Sequence, residues 1–463
     1  MSKIPLWMVH LVSRVAALYR RIFSIHEIEE SRTLQWLFGA VLLYFFLTFS
    51  QWVHSTMVAV ERTREAVCWP YFQNCTDLFF LSNLPHGYSQ TTFYMALFAI
   101  MLTIVYLMWK KQWVAAHALL LLLFIWKCFV GYVLSYDIMG MYDEYHLVIT
   151  AALLFTAHKE YFAKLAFVLM YFLSATVKFH PGWILGTYFT SLELGVPLLP
   201  SVLTALITNS VILMQVVGCW FLLSRHKMLQ RGALLYFVIF HLYSGVLVLY
   251  NYPTATLPVI LILFGPLYTF QRPPISWKAL AGWVLVGLLF LSQVPSWIND
   301  VDTSKITIAN NRFGMWMFDS NHQCVTELSY YYKKGVRLEK SSSEVAAGSS
   351  CGAFECVTKT ATYLEDGAWV RDVRRESPVS WRRCDPYERW RTQKNLCGGN
   401  IERIAMTLDH SINGSPFYRI IDEQNICTLE YELFGPNPWI KSPPEARAVG
   451  IPVKNVYRYP GQI

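Results

Sequence analysis

Charged residues are scarce in the first two thirds of this chain, and this scarcity excludes a soluble enzyme. Only 15% of the 463 residues are charged, whereas 54% are hydrophobic. Residues 1–296 hold 18 lysines and arginines and 11 aspartates and glutamates, against 21 and 20 in the shorter segment 297–463. Because a water-exposed surface needs charge, we interpret the first segment as a membrane domain and the second as a water-exposed domain.

The chain also lacks the concentrated basic surface that nucleic-acid binding requires. Its formal net charge is +8, but the excess lies mainly on short connections between apolar stretches. Basic connections of this kind orient helices in a bilayer, whereas nucleic acids are bound by charge gathered on one water-facing surface. We therefore expect membrane lipid, and no nucleic acid, as a partner.

Apolar runs near the length that crosses a bilayer recur along residues 35–296, and a span needs roughly 20 such residues. We predict an α-helical polytopic membrane bundle of about nine spans, of which the fourth and fifth are short. The predicted spans lie near 35–53, 91–109, 112–135, 145–157, 161–177, 203–223, 233–250, 255–270 and 277–296.

The connections between these spans alternate in charge. Lysine or arginine is present in the connections at 110–111, 158–164, 224–231 and 271–278. The alternate connections, such as 136–145 and 251–256, carry acid or no charge. This pattern follows the positive-inside rule. It predicts a cytoplasmic N-terminus and, with an odd number of spans, an extracytoplasmic C-terminal domain in a periplasm or an ER lumen.

Residues 1–34 precede the first predicted span and have apolar side chains at helical spacing. The apolar positions are Leu11, Val12, Val15, Leu18, Tyr19, Ile22 and Phe23, and arginines take other positions. The pattern predicts a cytoplasmic amphipathic segment on the membrane face. An ordinary amphipathic helix packed on the bundle fits it equally.

Paired cysteines of the C-x-x-C type are absent, which argues against a zinc site, and we expect no metal. Two of the ten cysteines, Cys128 and Cys219, lie within predicted spans and should pack as small apolar residues. An even number remains in segments predicted to lie outside, where it indicates disulfide bonds. These eight are Cys68, Cys75, Cys324, Cys351, Cys356, Cys384, Cys397 and Cys427. We expect Cys68 to bond with Cys75, because the two close a short loop.

Helical periodicity is weak in residues 297–463. Strand-like stretches at 305–308, 325–332 and 427–433 are separated by clusters of Gly, Pro, Asn and Ser. We predict a smaller, mainly-β, disulfide-containing domain, with 341–350 as a loop. The predicted organisation is therefore an N-terminal segment 1–34, a transmembrane domain 35–296 and an extracytoplasmic β-rich domain 297–463.

Ionisable residues inside the predicted spans are the candidates for function, because hydrocarbon makes each of them costly. The four that stand out are Lys127, His146, Lys178 and His241. Lys127 either pairs with an acid such as Asp137 or extends its amine to the interface. Lys178, at the end of the fifth predicted span, is by itself typical of a lysine that anchors a helix at the membrane edge.

Around these residues the sequence resembles the vitamin K-dependent gamma-carboxylase family, also called the HTTM membrane domain. In that family an aromatic-rich helix runs into a lysine and a tryptophan follows five residues later, as Lys178 and Trp183 do in the segment 171–183. Three further stretches resemble family motifs in the same order. They are Glu144-Tyr145-His146-Leu147, Phe240-His241-Leu242, and Gly314-Met315-Trp316-Met317 with His322.

The resemblance implies a quinol-dependent carboxylation or epoxidation. In the family, the lysine is thought to act as a base on the hydroquinone form of vitamin K, whose oxidised product removes a glutamate γ-proton before CO2 adds. It therefore implies Lys178 as the base and His146 as its electrostatic partner. His241 and Trp183 are implied as binding residues for a vitamin K-type hydroquinone or another quinone. A low-dielectric site favours the neutral amine that such a base needs.

A second function is open on the sequence alone. The chain could be a non-catalytic membrane subunit of a larger complex, which binds lipid or quinone and docks a protein partner through its outer domain. The chain has 27 tyrosines, 29 phenylalanines and 17 tryptophans, which offer stacking surface for a quinone ring in either case.

Overall fold

The membrane part is helical, and the C-terminal part is built on one β-sheet. The computed structural model describes residues 6–49, 67–72, 75, 88–134, 136, 141–190, 195–247, 252–298, 314–316, 320, 322–333, 355–365, 368–376, 384–442 and 445–451. The helices of the membrane part are α1 (Leu6–Ile22), α2 (Ile25–Glu30), α3 (Arg32–Leu47), α4 (Tyr88–Trp109), α5 (Trp113–Phe129), α6 (Met141–Phe155), α7 (Lys159–Thr176), α8 (Pro181–Ile184), α9 (Thr187–Thr190), α10 (Thr204–Leu213), α11 (Cys219–Phe221), α12 (Lys227–Val246), α13 (Tyr252–Phe264) and α14 (Leu280–Ile298).

A helix lies at each predicted span, but not every helix has the length and composition of a membrane crossing. In the described part of the chain, three stretches do: Trp113–Val133, Ser201–Phe221 and Trp277–Ile298. Three other apolar stretches are shorter: Arg32–Leu47, Tyr94–Trp109 and Tyr252–Phe264. The structure thus supports a membrane-associated helical part with three candidate spans.

Helix α7 forms the centre of the bundle, because nearly all of its side chains are buried. Its first turn is capped by Glu27 of α2, whose carboxylate accepts from the backbone N–H groups of His158 at 2.8 Å and Lys159 at 2.7 Å. Further along, the ring of Phe162 packs directly against Gly282 of α14. A Cβ at Gly282 would lie 2.2 Å from that ring, so this close helix contact requires glycine.

The N-terminal helix α1 packs on the bundle through one side. The Tyr19 hydroxyl is hydrogen-bonded to His117 Nδ1 of α5 at 2.9 Å, and the Phe23 ring lies 5.3 Å from the same imidazole. Leu18 and Ile22 on the other side are exposed. One face of α1 is therefore packed on the bundle while its apolar edge is exposed, and a position of this edge on a membrane face stays a prediction.

In the described part of the C-terminal domain, a six-stranded sheet is accompanied by the helix α15 (Pro386–Lys394). The strands are β1 (His322–Tyr332), β2 (Glu355–Glu365), β3 (Ala368–Glu376), β4 (Ile401–Ile412), β5 (Phe417–Glu423) and β6 (Arg447–Val449). Their order is β3-β2-β1-β4-β5-β6, and every neighbouring pair is antiparallel except the parallel pair β1 and β2.

One predicted strand is confirmed and one is wrong. The stretch 325–332 lies within β1, while 305–308 and 341–350 lie outside the described residues. The stretch 427–433 is not a strand but begins in a 3-10 turn, Ile426–Thr428. Its backbone carbonyls accept from side chains instead: Lys394 Nζ of α15 donates to the Cys427 carbonyl oxygen at 3.0 Å, and Trp439 Nε1 donates to the Glu430 carbonyl oxygen at 3.1 Å.

The C-terminal domain packs against the bundle end that carries the loop between Cys68 and Cys75. Val67, Trp69 and Tyr136 belong to the same hydrophobic cluster as the sheet and α15. The Tyr136 hydroxyl donates to Asp385, just before α15, and the ring of Trp69 meets that of Tyr136 edge-on with centroids 5.0 Å apart. The domain is thus seated on the bundle by buried aromatic contacts.

Candidate functional site

Lys178 lies just beyond the end of α7, and its side chain is completely buried. The side chain runs back along the helix, so that Nζ donates to the Ser174 carbonyl oxygen at 3.1 Å and to Gln215 Oε1 at 3.0 Å. The centroid of a Trp183 ring lies 5.3 Å from Nζ, which is cation–π distance. The structure therefore brings the predicted base and the predicted cofactor-binding tryptophan together.

The break between α7 and α8 produces this arrangement. His180 is the N-cap of α8, and its Nδ1 accepts from the Gly182 backbone N–H at 3.1 Å, while a proline takes the first helical position. The short helix turns Trp183 back over the lysine. There the indole stacks on Tyr188, with ring centroids 5.2 Å apart.

Gln215, the side-chain partner of Lys178, lies in a π-helical segment, Met214–Gly218. A second π-helical segment, Val130–Leu134, follows shortly after Lys127. Such segments are rare and are frequently found at functional sites. Sequence reasoning missed Gln215, because a π-helical turn changes which residues of a helix face inward and has no simple sequence pattern.

Lys127 forms a buried ion pair with Asp143 of α6, with Nζ 2.7 Å from Oδ1 and both side chains almost fully excluded from water. Nζ also donates to Thr48 Oγ1 at 3.3 Å and lies 4.9 Å from the ring centroid of Tyr44. Pairing with an acid is therefore confirmed, but the acid is Asp143. Asp137, suggested by the sequence, lies outside the described residues. The balanced charge gives Lys127 a structural role.

His146 lies in the same cluster as Lys127 and Asp143. Its Nε2 donates to the Val41 carbonyl oxygen at 3.0 Å, and its ring centroid is 4.2 Å from that of Tyr44, whose hydroxyl donates to Asp143 at 3.4 Å. Among the described residues, its buried Nδ1 has no hydrogen-bond partner. The described contacts of His146 do not include Lys178, so its role as the partner of that lysine stays a prediction.

His241 is fully buried in a third set of contacts. Its Nε2 is hydrogen-bonded to the Tyr171 hydroxyl, and its Nδ1 lies 3.2 Å from Thr256 Oγ1. The Tyr171 ring stacks on Phe237 with centroids 4.5 Å apart. Lys178, His146 and His241 are thus all buried inside the bundle, but their described contacts lead to separate partners. The single shared cavity stays a prediction.

Two tyrosines that were not predicted as site residues, Tyr145 and Tyr252, contact each other inside the bundle. The Tyr145 hydroxyl donates to the Met170 carbonyl oxygen at 3.3 Å, and its ring meets that of Tyr252 edge-on at 5.7 Å. The Tyr252 hydroxyl donates to the Trp316 carbonyl oxygen at 3.0 Å, and its own carbonyl accepts from Thr256. Tyr145 precedes His146 in the motif at 144–147, but in a chain this rich in tyrosine no sequence signal distinguishes Tyr252.

The stretch after α14 folds back onto the bundle. Gln293 Oε1 accepts from the Met315 backbone N–H at 2.7 Å, and Trp316 is buried. Gly314 has a φ of +98°, and a Cβ there would lie 2.8 Å from Gln293 Oε1. The residues 314–316, which belong to one of the motifs that resemble the family, therefore contact the helical bundle directly. Met317 lies outside the described residues.

His322 lies in the C-terminal domain. Its Nδ1 is hydrogen-bonded to His410 Nε2 at 2.9 Å, the two rings are stacked, and its Nε2 is 2.8 Å from Ser320 Oγ. Burial lowers the pKa of His410 well below its usual value, and the nearby His322 lowers it further. Among the described residues, no group of three or more His, Cys, Asp or Glu side chains is arranged to hold a metal ion.

Six of the eight cysteines predicted to lie outside form disulfide bonds. The bonds are Cys68–Cys75, Cys324–Cys384 and Cys397–Cys427. The predicted bond of the short loop is thus confirmed. Cys351 lies outside the described residues, and for Cys356 only its place in β2 is described. Cys128 and Cys219 are free, as predicted.

No family model, no curated protein and no solved structure matches this chain. A functional assignment therefore depends on the residues themselves. The most informative is the buried lysine at the end of α7, together with its glutamine and tryptophan neighbours.

Proposed function

We propose that this protein is an integral membrane enzyme resembling the vitamin K-dependent gamma-carboxylases, with Lys178 as the base that acts on a hydroquinone. The observation that carries the proposal is the setting of the Lys178 amine. It is fully buried, and its described hydrogen bonds go to neutral acceptors, the Ser174 carbonyl and the Gln215 amide. Exclusion from water favours the neutral amine, which is the form that accepts a proton.

Lys127 provides the contrast. Both lysines are buried in the same bundle, but Lys127 lies 2.7 Å from the carboxylate of Asp143. That carboxylate balances a positive charge and so holds the lysine as a structural cation. The described partners of the two lysines therefore differ in kind: a carboxylate for Lys127, and a carbonyl oxygen and a side-chain amide for Lys178.

The surroundings of Lys178 fit a planar, apolar cofactor. Trp183, Tyr188 and Phe189 form a ring cluster with centroid separations from 4.9 to 5.8 Å, packed against the buried Val211 and Ile212. Aromatic rings of this kind stack on quinone-like rings. When bound, a vitamin K-type hydroquinone supplies reducing power and, after reaction with oxygen, the base strength that removal of a glutamate γ-proton needs.

The remaining residues of the proposed site have supporting roles. Trp183 would contact the cofactor ring beside Lys178. His146 Nε2 already donates to the Val41 carbonyl oxygen, so Nδ1 of the neutral ring, which is buried without a described partner, would accept a hydrogen bond from a hydroxyl of the hydroquinone, and His241 would line the binding site. His146→Ala removes this contact but leaves the base in place, so it should reduce turnover less completely than loss of Lys178.

We further propose nine spans, with the N-terminus cytoplasmic and the C-terminal domain extracytoplasmic. The basic connections meet at one end of the bundle: Lys164 Nζ donates to the Thr269 carbonyl oxygen at 3.0 Å, and the Tyr268 hydroxyl donates to the Ser224 carbonyl oxygen at 3.1 Å. The disulfide between Cys68 and Cys75 belongs to the opposite end, with the C-terminal domain. This segregation of charge and disulfides supports the orientation.

The alternative is a non-catalytic subunit that binds lipid or quinone and docks a partner through its C-terminal domain. The observation that favours it is the engagement of His241, whose two ring nitrogens both have partners within the bundle. Residues held in this way are typical of structural polar contacts in membrane helices.

Turnover of purified full-length protein separates the two functions. The protein is supplied with reduced vitamin K in air, with and without bicarbonate and a glutamate-containing peptide, and epoxide and carboxylated peptide are measured. The enzyme proposal expects turnover that Lys178→Ala and Lys178→Arg each reduce at least about a hundredfold, because arginine keeps its proton. Lys110→Gln, which replaces an exposed lysine outside the proposed site, is the control that should retain it. Inactive wild-type protein with a tightly bound partner would favour the subunit.

A further inference from the structure

A cleft of about 740 Å³ lies where α1, α2 and α14 meet at the end of the bundle that carries the basic connections. It is separated from Lys178 by the length of α7, about 27 Å for an 18-residue helix. Its lining combines basic and apolar side chains. The lining residues that matter for binding are Leu18, Arg21, Ile22, Phe155, His158 and Lys278.

The charge of the cleft is positive. Arg21 and Lys278 are exposed, and no hydrogen bond or ion pair of theirs is found among the described residues. The neighbouring Arg20 is paired with Glu29 at 2.8 Å, and the carboxylate of Glu27 accepts from two backbone N–H groups at the start of α7. Two uncompensated cations therefore remain to attract an anion.

One wall of the cleft, α1, is held in place by a hydrogen bond to the bundle, and the open side of the cleft is lined by exposed apolar side chains. The hydrogen bond between the Tyr19 hydroxyl and His117 holds α1 against α5. On the open side, Leu18, Ile22 and Phe155 are 59%, 62% and 41% exposed. A ligand that fills the cleft would thus place its charged group near the two cations and an apolar chain along this edge.

The start of α14 marks the level of the membrane surface. Ile275 and Trp277, next to Lys278, are 97% and 90% exposed, and Trp277 begins one of the stretches able to cross a membrane. Tryptophan and lysine at the end of a span are typical of the boundary between lipid and water. Headgroup phosphates lie at this depth.

We propose that this cleft binds an anionic phospholipid, with its phosphate held by Arg21 and Lys278 and an acyl chain lying along Leu18, Ile22 and Phe155. The site is independent of the chemistry at Lys178. It would tie the N-terminal helix to the membrane surface and to the start of α14 through one lipid molecule.

The test uses full-length protein in a neutral detergent, titrated separately with dioctanoyl phosphatidylglycerol, dioctanoyl phosphatidylcholine and inorganic phosphate by microscale thermophoresis. Two basic side chains at a membrane surface should favour the anionic lipid about thirtyfold over the zwitterionic one. The double variant Arg21→Gln/Lys278→Gln should bind both lipids equally. The matched control, Arg225→Gln/Lys227→Gln, removes two charges from another basic connection and should keep the preference.

Equal affinity of the wild-type protein for the two lipids would overturn the proposal. So would an undiminished preference in the Arg21→Gln/Lys278→Gln variant, or an equal loss in the control, which would mean that overall charge rather than the cleft selects the lipid. Inorganic phosphate that displaces the anionic lipid at the lipid's own binding concentration would identify a small-anion site instead. Weakening of both lipids by Leu18→Gln/Ile22→Gln would support the acyl contact.

Discussion

Removing one partner of the Lys127–Asp143 ion pair should destabilise this protein more than removing both. The charged atoms are 2.7 Å apart, and the two side chains are 1% and 5% exposed. Lys127→Met leaves a buried carboxylate without its counter-ion, and Asp143→Leu leaves a buried ammonium, so each should cost about 3–5 kcal/mol of unfolding free energy. The double variant removes both charges and leaves the Tyr44 hydroxyl without its described acceptor, a loss of about 1–2 kcal/mol, while Thr48 Oγ1 still donates to the Tyr44 carbonyl oxygen at 2.8 Å.

Denaturant unfolding of the purified protein in detergent, followed by tryptophan fluorescence, measures these free energies. Lys110→Met is the matched control, because Lys110 is exposed above the ring of Trp109 and its loss should cost less than about 1 kcal/mol. Single variants of Lys127 and Asp143 as stable as this control would refute a buried pair. A double variant that loses the sum of both single effects would show that the two charges are not coupled.

Three smaller perturbations test other parts of the fold. Cys68 and Cys75 should resist thiol labelling until the protein is reduced, and replacing both by Ser should lower the free energy of unfolding by about 2 kcal/mol, because the bond closes a short loop. Labelling of these cysteines in the native protein without reduction would contradict the bond. The pKa of His410 is lowered in the folded state, so below about pH 6.5 the unfolded chain takes up a proton first and the free energy of unfolding should fall by up to about 1.4 kcal/mol per pH unit. A His410→Gln variant with the same pH profile would contradict this. Gly282→Ala should lower the free energy of unfolding by about 1–3 kcal/mol, because its Cβ would clash with an aromatic ring of α7, whereas Gly287→Ala in open space on the same helix should be neutral or slightly stabilising. Equal effects of the two variants in denaturant unfolding would rule out the close contact.

The sequence predicts the division into a helical and a β-containing part, because both follow from local composition. Apolar runs without charge mark buried or lipid-facing helices, and strand-like alternation within 325–332 marks the central strand β1. The Cys68–Cys75 bond was equally predictable, since a loop this short brings its two ends together whatever the rest of the chain does.

The partners of the buried charges could not be predicted in this way. Lys127 is closer in sequence to Asp137, but the start of α6 presents Asp143 to it. Gln215 reaches Lys178 only because a π-helical segment alters the facing of its helix. Similarly, the apolar residues from Cys427 onward pack under α15 rather than in the sheet. In each case the local sequence allows more than one partner or conformation, and contacts between distant parts of the chain decide which one forms.

The central claim is that a neutral amine at Lys178 is the base of a hydroquinone-dependent reaction. It is tested most directly by chemical rescue of the Lys178→Ala variant, in which small primary amines of graded basicity are added to the epoxidation assay. The claim predicts that wild-type protein turns over, that the variant does not, and that methylamine or ethylamine restores turnover with a rate that depends on the basicity of the amine. An active wild-type protein whose folded Lys178→Ala variant either retains full turnover or is restored by no amine would contradict it.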